Sequence, residues 1–222
     1  MRSYDQYCGL ARALDHIGHR WTLLIVRDLL LGPRRFTDLR EGLPGIANNL
    51  LADRLRHLQD DGLVTRRDLP PPAASTVYEL TESGRQLREV VHALIRWGGR
   101  WMTAGHQNDE FRPEWLVLAL DALSAGRIEP NTVVEFNVNG AAVYLTTVDG
   151  QLTLAHGPQQ QPDLRVTADA STILGLAAGE LTVPQARPAL ELEPDTPEAI
   201  ETLARFFSRA PDAPTELRSP PH

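Results

Sequence analysis

Apolar residues recur every three or four positions through most of the amino-terminal half, a spacing typical of amphipathic helices. With glycine and proline as terminators, the spacing predicts a helical stretch over 4–31 that is interrupted near Gly18, and then a short helix capped by Thr37. Two further helices are predicted at 47–61 and 82–103. Gly62 fits the left-handed position just beyond the third helix. In the last helix the spacing turns a set of apolar residues inward: Leu87, Val90, Val91, Leu94 and Trp97.

Between the third and fourth helices the pattern changes. Residues 63–67 and 76–80 are typical of β-strands, three prolines lie in the loop between them, and Thr81 is placed to cap the helix that follows. Three short helices, a two-stranded ribbon and a longer helix describe a winged helix-turn-helix.

The carboxyl-terminal half shows another order of elements. A helix at 114–123 is apolar nearly all round, and three strands with alternating polarity follow it, joined by the hairpin signals Asn139-Gly140 and Asp149-Gly150. The remaining predictions are a strand at Leu164 and Val166, a helix from Asp169 to Gly179, a strand at 189–192, and a helix from Thr196-Pro197 with Ile200, Leu203, Ala204 and Phe207 inward. The predicted fold class is therefore α+β, a winged helix-turn-helix followed by a small domain of antiparallel sheet plus helices.

Composition divides the chain in the same way. Residues 1–105 carry 15 Arg against 12 Asp and Glu, whereas residues 106–222 carry 7 Arg against 17. The predicted organisation begins with a DNA-binding and dimerisation domain at 1–103, followed by a linker at 104–112. A ligand-sensing or oligomerisation domain at 113–208 and a disordered tail at 209–222 complete it. No apolar run is long enough for a transmembrane helix or a signal peptide, which predicts a cytoplasmic protein without a membrane partner.

Motifs for catalysis are absent from the sequence. It contains no glycine-rich phosphate loop, nucleophile elbow or HExxH, and its single cysteine excludes a cysteine-rich zinc site. His16 and His19 stand three apart on a predicted helix, but no third ligand is evident nearby, which favours packing over metal binding. We expect no enzymatic activity, no cofactor and no metal.

Polar residues on the outer face of the helix at 47–61 are candidates for contact with double-stranded DNA. Asn48, Asn49 and Arg56 have the side chains that pair with adenine and guanine edges. Nearby arginines are candidates for the phosphate backbone: Arg35, Arg54, Arg66 and Arg67. The alternative is that these arginines only solvate the surface.

The amino-terminal half resembles HxlR-type winged helix-turn-helix transcriptional regulators. The resemblance is carried by Cys8, 14–25 (LDHIGHRWTLLI), 32–39 (GPRRFTDL), 43–46 (LPGI), Leu51, 54–55, Leu58, 62–64, 77–81 (VYELT), Gly84 and Trp97. It implies a DNA-binding homodimer built from the amino-terminal segment and the helix at 82–103. The chain departs from the family pattern in three places, with Ala47 where serine is usual, Asn49 where a basic residue is common, and Gly9 where proline is usual.

Some members of that family use the cysteine at the Cys8 position as a thiol sensor. Cys8 precedes a predicted helix start, where a thiol pKa can be lowered, so Cys8 is a candidate redox-sensing residue. The alternative is a small buried core residue.

The carboxyl-terminal half is similar to the sterol-carrier-protein type of lipid-binding domain. The similarity rests on the order of elements and on 163–169 (DLRVTAD), Leu174, Leu176, Gly179 and Leu181. It implies an apolar tunnel between sheet and helices that takes a small hydrophobic ligand. The segment before the last strand usually contains a glycine, whereas here it reads Arg187-Pro188-Ala189-Leu190. The alternative to a ligand tunnel is therefore a solid core that serves only dimerisation.

Together these features predict a sequence-specific transcriptional regulator that binds an inverted repeat as a dimer and is modulated by a hydrophobic ligand. Two alternatives remain open. One is a thiol-sensing regulator acting through Cys8, and the other is a hydrophobic-ligand carrier without specific DNA binding.

Overall fold

The computed structural model describes residues 3–72, 74–101, 112–123, 132–148, 151–156 and 161–207. The chain divides into two compact units, the first ending at Leu94 and the second beginning at Ile95. Most of the predicted linker, the Asp149-Gly150 turn and the tail at 209–222 lie outside the described residues. Among the described helices, none has the length and apolar character needed to cross a membrane.

The first unit is a winged helix-turn-helix. Its elements are α1 (Gly9–Ile17), α2 (Thr22–Leu30), α3 (Phe36–Glu41), α4 (Asn48–Asp60), β1 (Val64–Asp68), β2 (Thr76–Leu80), α5 (Glu82–Arg85) and the start of α6 (Arg88–Gly98). The strands β1 and β2 pair antiparallel and form the wing. The predicted left-handed glycine after the third helix is confirmed, since Gly62 has φ +68°.

The predicted cap of α3 is wrong. The helix begins at Phe36, one residue before Thr37, and Arg35 occupies the N-cap position. The backbone N–H of Arg35 donates to the Asp38 carboxylate at 2.9 Å. A carboxylate in the first turn therefore takes the role that the threonine hydroxyl was expected to fill.

The predicted helix at 82–103 is also interrupted. Thr81 caps it as predicted, accepting the Gly84 N–H at 3.1 Å. The chain then forms only the short helix α5, turns, and starts again as α6, with a 3₁₀ turn at Gly99–Trp101. Gly84 is held against the carbonyl of Leu63, and this tertiary contact fixes α5 independently of the helix that follows.

The apolar face of α6 does not point into the core of the single chain. Val91 is buried, but Val90, Leu94 and Trp97 are 40%, 43% and 57% exposed. The prediction that these three turn inward is therefore wrong for the single chain. Helical spacing shows that the residues share a face, but it does not show whether the same chain covers that face.

The second unit is a five-stranded sheet with helices. After the end of α6 its elements are α7 (Pro113–Leu123), β3 (Val133–Val138), β4 (Ala141–Val148), β5 (Gln151–His156), β6 (Leu164–Ala168), α8 (Ala170–Ala178), α9 (Val183–Ala186), β7 (Glu191–Glu193) and α10 (Pro197–Phe207). The strand order is β5-β4-β3-β6-β7. One sheet face is the core, where the Phe136 ring lies 5.7 Å from Phe206 and 5.9 Å from Phe207.

Local turn and cap signals in this unit are confirmed. Asn139 and Gly140 both have positive φ, as the predicted hairpin turn between β3 and β4 requires. Asp169 caps α8 by accepting the Thr172 N–H at 2.6 Å, and Gly179 ends that helix in the left-handed conformation.

The prediction of an antiparallel sheet is wrong in one place. Strand β6 pairs with β3 and runs parallel to it, so the sheet is mixed. The chain leaves the edge strand β5 and returns on the other side of β3, and such a crossover is invisible to strand periodicity. In α10 the inward set also differs, because Ala204 is exposed while Phe206 is buried.

Candidate nucleic-acid interface

Helix α4 presents one face to the core and another to solvent. Three leucines, spaced by four and three residues, are almost fully buried: Leu51, Leu55 and Leu58. The opposite side carries the exposed side chains of Asn48, Asn49 and Arg56. A helix that follows a helix-turn and keeps a polar face outward is the arrangement with which such folds enter the major groove.

The amino-terminal end of α4 has no side-chain cap. Ala47 occupies the N-cap position and offers no hydrogen bond. The amide oxygen of Asn49 accepts the N–H of Leu50 at 3.0 Å, which ties that side chain to the first turn. First-turn N–H groups without a capping oxygen are ready donors for an anion such as a phosphate.

An acidic residue sits among the basic residues of α4. The Asp53 carboxylate accepts from Arg54 at 2.8 Å and from Arg56 at 3.4 Å, and the His57 Nδ1 lies 3.6 Å away. The Arg54 side chain is only 15% exposed, against 66% for Arg56. Arg56 is therefore the arginine of this helix that can reach another molecule without rearrangement.

The wing carries the two predicted arginines in different states. Arg66 is exposed, with its Nη2 3.4 Å from the Thr76 hydroxyl. Arg67 forms two hydrogen bonds to Glu79, at 3.0 and 2.9 Å. These bonds from Arg67 lower the pKa of the Glu79 carboxyl, so Glu79 stays charged at neutral pH. Contact between Arg67 and a phosphate must compete with this pair.

Sequence analysis missed the role of Glu79, although the signal was present. In the wing register Thr65 faces Glu79, and Arg67 lies two residues further along the same face of β1. A pairing of β1 with β2 in this register would have placed the two charges within reach.

The segment before α3 is fixed to the wing through its backbone. The Arg34 N–H donates to the Tyr78 carbonyl at 3.0 Å, and the Tyr78 N–H donates to the Arg34 carbonyl at 2.7 Å. Arg35 follows at the N-cap of α3 with an exposed side chain. The fold thus couples the position of Arg35 to the hairpin that carries Arg66 and Arg67.

Cys8 is exposed and occupies the N-cap position of α1, so the alternative of a buried core residue is wrong. The segment before it is held by Asp15, whose carboxylate accepts from the Tyr4 N–H at 2.9 Å and the Ser3 hydroxyl at 3.2 Å. The Tyr4 bond contributes most to lowering the pKa of Asp15.

His16 and His19, the pair weighed as metal ligands, have protein partners. His16 Nδ1 lies 3.1 Å from an Asp61 carboxylate oxygen, and the His19 ring stacks on His57. Across the described ranges, no three potential ligands are grouped as a metal ion would need.

Comparison with known proteins identifies the family of the amino-terminal half. The HxlR-like helix-turn-helix family model matches residues 16–106. The HTH-type transcriptional regulator YodB of Bacillus subtilis is 34% identical over 93 residues, which cover 42% of this chain and 83% of YodB. The chain belongs to the HxlR-like helix-turn-helix family. The regulator YtfH of Escherichia coli is 35% identical over 94 residues, covering 42% of this chain and 75% of YtfH.

Among solved structures, the reduced form of YodB from B. subtilis is 32% identical and covers 46% of this chain and 100% of YodB, with a TM-score of 0.39. By its family membership the chain is a DNA-binding transcriptional regulator of the HxlR type, and its relatives are regulators and not enzymes, as predicted. The family model ends at residue 106, so membership assigns no role to residues 107–222.

Proposed function

We propose that this HxlR-like regulator binds an inverted repeat in double-stranded DNA as a homodimer, in the cytoplasm. The observation that carries the proposal is the exposed polar face of α4, opposite a stripe of fully buried leucines. Residues 1–103 bind DNA and dimerise in this proposal, and residues 113–208 modulate the affinity. A dimer with two-fold symmetry favours half-sites one helical turn or a multiple apart.

Base reading is assigned to Asn48, Asn49 and Arg56. Asparagine can bond adenine N6 and N7, and arginine can bond guanine O6 and N7. Backbone contacts are assigned to the remaining candidates: Arg35, Arg54, Arg66 and Arg67. Of these, Arg35 and Arg66 are exposed and available, whereas Arg54 and Arg67 must exchange a carboxylate partner for a phosphate.

Exposed apolar residues support the proposed dimer. Leu10 and Leu14 on α1 are 68% and 38% exposed, and Val90 and Leu94 on α6 are exposed to a similar degree. Monomeric proteins rarely leave such helical faces open, because covering them with a second copy buries apolar surface.

The charge of the second half supports a modulating role. An excess of 10 acidic residues in 106–222 repels phosphates, so we assign DNA contact to the first unit. Modulation by a small hydrophobic ligand in a sterol-carrier-like domain is supported by a cavity among the helices of the second unit.

The test is fluorescence anisotropy of the full chain on its own upstream intergenic DNA, at ~0.15 M salt with excess competitor DNA. Specific regulators bind at ~10⁻⁸ M or tighter under such conditions. Saturable binding in that range that survives competitor supports the proposal. Binding that the competitor removes, on every upstream fragment tried, contradicts it and favours the hydrophobic-ligand carrier.

The wing pair gives a prediction about salt dependence. Arg67→Ala is expected to weaken binding to all sequences and to reduce the slope of log K against log salt by about one unit. Glu79→Gln is expected to raise affinity for any duplex by up to about fivefold, because it frees Arg67 from a surface ion pair. Titrations over a range of salt concentrations measure both. An unchanged slope for Arg67→Ala removes the wing from the footprint.

Exposure of Cys8 favours a second candidate function, regulation by thiol modification. An exposed thiol at a helix start is open to electrophiles. The wild-type protein is then expected to change its operator affinity at least about tenfold after stoichiometric alkylation, whereas Cys8→Ser is expected to keep its affinity under the same treatment. Mass spectrometry of the treated protein verifies the modification, and equal responses of the two proteins reject the sensor.

A further inference from the structure

The second unit contains a partly open cavity of about 550 Å³. Small-molecule sites typically measure about 300–1,000 Å³, so the cavity is large enough for a ligand. It lies between the end of α6, helix α7 and the length of α8. Small and apolar residues form most of its wall: Ile95, Gly99, Ala119, Leu123, Leu174, Gly175, Ala178 and Leu181.

One part of the wall is closed by a tight helix contact. A Cβ on Gly175 would lie 2.9 Å from Cδ1 of Leu181, so only glycine lets Leu181 pack onto α8 at this distance. The Leu181 N–H also donates to the Gly175 carbonyl at 3.0 Å. These contacts hold Leu181 in the wall.

The electrostatics of the cavity are one-sided. Among the described residues that line it, Glu180 alone has an ionisable side chain. Helices α7 and α8 both end at the cavity, at Leu123 and Ala178, and the carboxyl end of a helix carries partial negative charge. At the other end of α8, the Thr172 N–H lowers the pKa of Asp169, so that cap is an anion as well.

Arg96 offsets part of this potential. The Arg96 guanidinium donates to the Ala122 carbonyl at 3.0 Å, which places its charge at the end of α7. At the end of α8 the ionisable side chain is instead the carboxylate of Glu180, which lines the cavity there. The end of α8 is therefore the more favourable place for a cationic group.

We propose that this cavity binds a small apolar molecule that carries a basic nitrogen. The ammonium group lies beside Glu180 at the end of α8, and the apolar part lies along α7 and α8. The inference rests on the proposed ligand-dependent function and narrows its ligand class, since a fatty-acid carboxylate would meet Glu180 and the carboxyl ends of two helices.

The test compares octylamine, octanol and octanoate, which share one alkyl chain and have cationic, neutral and anionic head groups at pH 7. Isothermal titration calorimetry of the full chain with each probe measures affinity. Octylamine is expected to bind about tenfold or more tighter than octanoate, with octanol between them. Octanoate binding as tightly as octylamine overturns the proposal.

Two kinds of variant separate charge from shape. Glu180→Gln is expected to weaken octylamine binding about tenfold and to leave octanol unchanged. Glu201→Gln on α10 is the matched control, since this exposed glutamate does not line the cavity and its loss is expected to change neither affinity.

Ala119→Phe, or Ala178→Phe if the first variant does not fold, fills the cavity and is expected to weaken the binding of all three probes. Equal losses of octanol and octylamine in Glu180→Gln overturn the assigned role of the carboxylate.

DNA binding is measured on the same preparations. If no probe binds while the operator is bound tightly, this inference fails and the proposed DNA-binding function stands. If the probes bind as expected but no operator is found, the site stands and the proposed function fails.

Discussion

Gly84→Ala is expected to unfold the wing side of the first unit at a temperature lower than wild type by more than about 10 °C. A Cβ at this position would lie 2.0 Å from the Leu63 carbonyl oxygen and 3.0 Å from Cδ2 of Leu80. The oxygen is part of the backbone and already accepts the Thr81 N–H, so it cannot move without breaking the junction of β1 and α5. Overpacking against a fixed backbone costs about 3 kcal/mol, which corresponds to such a shift for a unit of this size.

The measurement is thermal unfolding followed by circular dichroism, with Gly9→Ala as the matched control. Gly9 starts α1 in the same unit, and a Cβ there would meet no atom within 4 Å. The control is expected to melt within a few degrees of wild type, because alanine is a better helix former than glycine. If both variants melt together, the contact at Gly84 does not determine stability.

The same contact explains why Gly84 belongs to the pattern by which the sequence resembles its family. The carbonyl oxygen of Leu63 accepts the Thr81 N–H and also lies against Gly84. These two contacts position the wing strands relative to helix α5. Gly84→Ala is therefore expected to weaken DNA binding as well as stability. A residue with no side chain thus contributes to function by allowing two backbone segments to approach.

Sequence periodicity predicted the features that depend on neighbours along the chain. The spacing of Leu51, Leu55 and Leu58 fixes which face of α4 is buried, and that alone leaves Asn48 and Arg56 outside. The hairpin turn at Asn139-Gly140 was predictable for the same reason, because a turn with two consecutive positive φ angles favours asparagine followed by glycine.

Features that depend on distant parts of the chain were not predicted. The position of β6 beside β3 depends on a crossover, and no local pattern reports it. The pairing of Arg67 with Glu79 depends on the register of the wing. The exposed face at Leu94 depends on what packs against α6, and the spacing of apolar residues along the helix does not report this.

Arg56→Ala is expected to weaken operator binding about 10- to 100-fold and to relax sequence preference at one position of each half-site. Arg56 is the most exposed arginine of α4, and its bond to Asp53 is long, at 3.4 Å, so it can leave that carboxylate at little cost. Anisotropy titrations against the operator, its single-base variants and competitor DNA measure the effect. Competitor affinity is expected to change little, since discrimination comes from base edges.

Arg205→Ala on α10 is the control for loss of one positive charge. Arg205 is an exposed arginine of the acidic second unit, where it lies 3.7 Å from Glu201, and its removal is expected to leave operator affinity within about twofold of wild type. Equal weakening of operator and competitor by Arg56→Ala, with a salt slope lower by about one, would make Arg56 a phosphate contact. Base reading would then fall to Asn48 and Asn49 at the uncapped start of α4, because these are the remaining candidate side chains exposed on that face.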